Sequence, residues 1–175
     1  DVEPTLKEAL QTFPENPELA ICRLVIDTMS PQVSVRERAQ EKVDFFKGYV
    51  DEGIPKLIAL FYHNIGHGLY IQEKFEKAIL TYSRALEFEP ERATTLHSLA
   101  LALSHLGNKY ANLGLHQISE VTFLQAIEIR PNLPLAHFGL TDLYLSLNDR
   151  DRSKTHYEIL KGLDHDLAGK LSTFF

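Results

Sequence analysis

The chain holds a single cysteine, a single methionine and no tryptophan in its 175 residues. One cysteine excludes an intrachain disulfide and a metal centre built from several thiolates. Cys22 itself sits in the apolar run LAICRLVI with no base beside it in sequence, which predicts a buried structural thiol and is compatible with a reducing compartment. Glycine and proline are scarce, at 9 and 8, while hydrophobic residues make up 44% of the chain. That balance excludes a disordered polymer and predicts one folded domain. No apolar run approaches the roughly 18 residues that a membrane-spanning helix needs, so no insertion into a bilayer is expected. The opening DVEPTLKEAL has neither the basic start nor the apolar stretch of a secretory leader, and a cytoplasmic setting is the expectation. A basic surplus is missing as well. The formal net charge is -6 and no cluster of Lys or Arg stands apart, which opposes binding to a phosphate backbone and removes nucleic acid from the expected partners.

What is present is helical period. In EKFEKAILTYSRALEFEP, residues 73–90, Ala78, Tyr82 and Ala85 recur at spacings of four and three, the interval that stacks side chains on one helix face, and Pro90 stops the run. The same period predicts helices over 54–71, with Pro55 in the first turn, then over 75–88, 92–113, 117–129, 134–146 and 150–163. Breaks of a few residues between them leave room only for antiparallel neighbours, so the chain reads as a row of helical hairpins, all-α throughout. Strand alternation is nearly absent.

A repeat underlies the row. Tyr82 and Phe123, Ala85 and Ala126, and Pro90 and Pro131 are each 41 residues apart. These residues, with Tyr62, Ile65, Gly66, Leu69 and Ala78, resemble the tetratricopeptide repeat, a helix–turn–helix unit of about 34 residues with small residues at its helix crossings and a proline near its end. One copy maps to 59–92. A second maps to 100–133 through Leu103, Leu106, Gly107, Tyr110, Phe123, Ala126 and Pro131, with Ser119 in place of a usual alanine. A third, weaker copy maps to 134–167 through His137, Leu140, Tyr144, Tyr157 and Leu160. There Thr141 and Ser153 stand at small-residue positions and His165 at the closing proline. The seven residues that separate a spacing of 41 from one of 34 rotate an ideal helix to within about 20° of two full turns. They can therefore be absorbed in one long helix over 93–113, with either Leu96, Leu99, Ala100 and Leu103 or Leu103, Leu106, Gly107 and Tyr110 as the repeat positions. The sequence leaves that register open.

The N-terminal segment 1–58 departs from the pattern and reads as an atypical hairpin or cap, with helices over 17–29 and 33–51. Residues 168–175, AGKLSTFF, form a tail that either ends the last helix or begins another, with Phe174 and Phe175 exposed unless packed back. The resemblance implies a right-handed α-α superhelix, a solenoid of antiparallel hairpins folded as one structural domain. It also implies a protein-interaction scaffold or adaptor whose first helices grip a peptide or helix of another protein.

The positions that the resemblance assigns to that inner surface are His63, His67 and Tyr70 in the first copy. In the second they are Ser104, Asn108 and Asn112 for the later register, or His97 and Leu101 for the earlier one. In the third they are Phe138, Asp142 and Leu145. His97 or Phe138 could equally pack on a neighbouring helix. The lysine and asparagine clamp with which one subgroup of the family holds a terminal carboxylate is not expected, because His63 and His67 occupy its first positions. His63 and His67 lie four apart, yet HNIGH lacks the glutamate of HExxH, so neither a metal nor a catalytic role is expected. No cofactor is implied, for no glycine-rich phosphate loop occurs. A regulatory or targeting part of a larger enzyme and a self-associating structural unit stand as alternatives, so homo-oligomerisation is a further possibility.

Overall fold

The computed structural model describes residues 53–175. Cys22, the helices expected over 17–29 and 33–51, and all but the last residues of the expected cap at 1–58 lie outside the described residues. Six helices of ordinary length follow: α1, Gly53–Ile71; α2, Phe75–Phe88; α3, Ala93–Asn112; α4, His116–Ile129; α5, Pro134–Ser146; and α6, Arg150–Leu163. A short α7, His165–Gly169, and a single 3-10 turn, Ser172–Phe174, close the chain. No strand occurs among the described residues. Helix α1 runs without a break across residues 58 and 59, the boundary expected between the cap and the first repeat.

Local chemistry accounts for the helix ends. Pro134 opens α5 at a position where its missing N–H costs nothing. The carboxylate of Asp149 accepts the backbone N–H of Arg152 at 3.1 Å and caps α6, and Asp164 accepts the N–H of Leu167 at 2.8 Å and caps α7. Between the paired helices the chain reverses through one left-handed residue each time: Glu73 at φ 57°, Gly114 at φ 74° and Asn148 at φ 57°. These three residues hold the same place in the three expected repeats.

The described residues fall into two compact units. One contains 53–65 and 83–91, the other 66–82 and 92–175. In the first, Ile58, Tyr62 and Ala85 form a buried cluster with Phe61 and Phe88 packed against it, and the rings of Tyr62 and Phe88 stack at 6.0 Å. In the second, paired antiparallel helices bury small residues against aromatic ones. A Cβ on Gly66 would lie 2.7 Å from the Tyr82 ring, and one on Gly107 would lie 2.8 Å from that of Phe123. Both pairs are separated by 16 residues, as are Thr141 and Tyr157 in the third hairpin. Ser119 and Ser153, fully buried at the small-residue positions, donate their hydroxyls to the carbonyls of Gly107 at 2.8 Å and Thr141 at 3.2 Å. Serine is accommodated there because the facing helix supplies an acceptor.

The register that the sequence leaves open is resolved by α3 using both. Its later half pairs with its own hairpin partner, Gly107 against Phe123. Its earlier half pairs with the preceding helix, where Ser98 lies beside the phenol of Tyr82, 16 residues before it. Gly139 stands at the matching place in the next repeat, where a Cβ would lie 2.3 Å from the Phe123 ring. A helix lengthened by two turns therefore meets one neighbour in each register.

Candidate functional site

The expected inner-surface residues separate into three groups. On α1, His67 is exposed and Tyr70 half-buried, while His63, in the other compact unit, is half-buried. On α3, His97 and Asn112 are exposed, and Leu101 and Asn108 half-buried. Ser104 differs. It is fully buried and its hydroxyl donates to the Ala100 carbonyl at 2.9 Å, so it is not presented to a ligand. The accessible strip on α3 instead runs through His97, Leu101, His105, Asn108 and Asn112, advancing in fours and threes, with His105 taking the place expected of its neighbour.

His105 belongs to a group of four rings. His67 stacks on Tyr70 at 6.3 Å, Tyr70 meets His105 edge-on at 5.5 Å and Phe75 at 5.8 Å, and Phe75 stacks on His105 at 5.4 Å. Burial lowers the His105 pKa from its usual value, opposed by the negative charge of Glu73, and burial raises that of the Tyr70 phenol. The group thus offers an aromatic surface whose open edge carries ring nitrogens and a phenol, suited to stacking and hydrogen bonding. Sequence reading missed His105 because it lies one residue off the strip assigned by the later register. Only the pairing of α1 and α2 with α3 brings it against Tyr70.

The third-copy residues behave otherwise. Asp142 is exposed, but Phe138 and Leu145 pack against the cluster of Tyr157, Leu160, Ala168 and Leu171 at the C-terminal end. The ring of Phe138 is thus held by α7 and the residues after it, the packing alternative raised for it above. Phe175 stacks on Tyr157 at 4.1 Å, although Phe174 and Phe175 are still 59% and 48% exposed, so the tail packs back only in part.

A second polar network, not foreseen as a unit, joins α4, α5 and α6. The Pro131 carbonyl can only accept, so His137 donates to it from Nε2 at 2.8 Å and in turn accepts at Nδ1 from Nδ1 of His156 at 3.0 Å. His156 stacks on Tyr144, whose hydroxyl donates to Glu120 Oε1 at 2.9 Å. Arg152 donates to the same oxygen at 2.6 Å, lies 4.3 Å over the Tyr144 ring and also donates to Asp149. Burial, with the hydrogen bond to Glu120 and its charge, pushes the Tyr144 phenol up to about 12. Burial, then the electrostatic influence of the neighbouring His137 ring and of the Arg152 charge, lowers the His156 pKa against the opposing charge of Glu120. Among the described residues no group of three His, Cys, Asp or Glu is placed to hold a metal ion, and no helix is long and apolar enough to cross a membrane.

Residues 59–92 match the family model of the tetratricopeptide repeat. The chain is similar to the crystal structure of TTC0263, a thermophilic TPR protein of Thermus thermophilus, at 19% identity and a TM-score of 0.37, over 96% of this chain and 86% of that one. It is also similar to the human IFIT1 dimer with PPP-AAAA, at 16% identity and a TM-score of 0.33, over 89% of this chain and 34% of that one. No curated protein matches the chain.

Proposed function

The chain carries a tetratricopeptide repeat at 59–92, and from that premise we propose that it is a protein-interaction module whose first-helix side takes a peptide or helix from another protein. Repeats of this kind generally serve as protein–protein interaction scaffolds, since stacked hairpins leave one side of their first helices free of the shared core. The observation that carries the reading is the ring group of His67, Tyr70, Phe75 and His105, continued along α3 by Leu101 and Asn108. Rigid aromatic area bordered by amide and imidazole groups is the composition that concentrates binding energy at interfaces, because such side chains bury much surface at little entropic cost. Phe138 drops out of the contact set, being held within the chain. A cytoplasmic setting forms part of the proposal, motivated by the single cysteine and the composition.

Photo-crosslinking separates this surface from the rest. A photo-reactive side chain at Leu101 should capture a partner protein from the source lysate, and the same group at the exposed Leu124 of α4 should not. Equal capture from both positions contradicts the assignment.

A further inference from the structure

We propose that His137 and His156 form a one-proton switch between α5 and α6, a contact that survives the uptake of one proton from solvent and parts on the uptake of a second. Donor and acceptor roles carry it. The Pro131 carbonyl can only accept, which keeps a proton on Nε2 of His137. While that ring is neutral its Nδ1 is bare, so the 3.0 Å contact between the two Nδ1 atoms takes its proton from His156. Neutral His156 is thereby the Nδ1–H tautomer, and its Nε2 is bare and makes no hydrogen bond among the described residues. That nitrogen receives the first proton. The imidazolium so formed still donates from Nδ1 to His137, and the hydrogen bond becomes charge-assisted.

A second proton has only Nδ1 of His137 left to bind. Two N–H groups would then point at each other across 3.0 Å, on cationic rings whose centroids lie 5.3 Å apart, with His137 only 3% exposed. Like charge and burial both oppose that state. The charged and titratable groups that face the pair are Glu120 of α4, Tyr144 of α5, and Arg152 of α6 with its partner Asp149. Glu120, Asp149 and Arg152 together carry a single net negative charge, which one proton on the pair cancels and a second overshoots. Tyr144, its phenol pushed up to about 12, stays neutral throughout. The unfolded chain takes both protons near the ordinary histidine value of about 6.5, so stability is full above that value and falls as the pH drops through the lower second step. His137 precedes Phe138 and His156 precedes Tyr157, and Phe138 and Tyr157 both belong to the C-terminal packing around Leu160, Ala168 and Leu171. Parting α5 from α6 there loosens that packing.

The test uses the 175-residue chain and nitrogen NMR of its histidine rings, with the methyl signals of Leu160 and Leu171 reporting the C-terminal packing. At neutral pH His137 should show the Nε2–H tautomer and His156 the Nδ1–H tautomer. On acidification the pair should titrate in two steps more than about one pH unit apart, and the leucine methyls should move with the second step alone. His156→Asn places an amide near the Nδ1 position, which donates to neutral His137 and, turned over, accepts from the charged ring. In that variant His137 should titrate in one step and the leucine methyls should stay in place. An Nε2–H tautomer for neutral His156, two rings that titrate together in the ordinary histidine range, or leucine shifts that persist in His156→Asn overturns the proposal. The tautomers and the two steps are read on the unaltered chain, so they decide the matter if the variant does not fold.

Discussion

Gly107 and Phe123 touch face to face: a Cβ on the glycine would come within 2.8 Å of the ring. The contact repeats at Gly66 and Tyr82 and fixes how closely each first helix approaches its second. An added methyl has nowhere to go without moving a fully buried ring. Gly107→Ala and Gly66→Ala should therefore each destabilise the protein by about 1–3 kcal/mol. Gly162 provides the control, since nothing lies within 4 Å of a Cβ there. Gly162→Ala should stabilise by roughly 0.5–1 kcal/mol through the backbone freedom it removes from the unfolded chain. Urea titrations of the three variants decide the matter.

Glu73 reverses the chain with φ at 57°, where the corresponding turn of the second hairpin uses Gly114 at 74°. A side chain in the left-handed region carries a steric penalty that glycine lacks. Glu73→Gly should raise stability by about 0.5 kcal/mol, net of the greater freedom that glycine gives the unfolded chain. Gly114→Ala should lower it. Opposite shifts in the urea midpoint are expected, and a loss of stability in Glu73→Gly would contradict the strain argument.

Acid should weaken the fold through two histidines. His105 and His156 both have pKa values below the usual 6.5, chiefly because burial disfavours their charged forms. Below that value the unfolded chain binds protons that the folded chain resists, so stability is full above it and falls as the pH drops toward the depressed folded values. The urea midpoint should decline between about pH 7 and pH 5, in the range where unperturbed histidine titrates. His156→Gln should flatten part of that decline, judged against its own stability at neutral pH. An unchanged slope would show that His156 does not contribute.

Helix positions and hairpin pairing were legible in the sequence because they rest on local periodicity and turn chemistry. Ala78, Tyr82 and Ala85 mark a buried face whatever surrounds it, and all three are fully buried. The double register of α3 was not legible. Seven residues return a helix to nearly the same face, so Ala100 and Gly107 look alike as crossing points until the neighbouring helices with Tyr82 and Phe123 are in place. The same limit explains the site. Ser104 and His105 differ by one step along α3, and only the position of Tyr70 determines which of them meets the aromatic group. Phe138 was assigned to the open surface for a related reason, since the fold of the final residues over it depends on contacts made by Ala168 and Leu171.

The interaction reading stands or falls on where the partner touches. With a partner isolated by crosslinking from Leu101, isothermal titration against four folded variants gives the most direct answer. Tyr70→Ala and His97→Ala should each lose about 1–2 kcal/mol of binding free energy, the range of a contact that matters at an interface, while Lys77→Ala and Gln125→Ala should change it by under about 0.5 kcal/mol. Undiminished binding by the first pair, with loss in the second, would contradict the account and move the interface to the second-helix side.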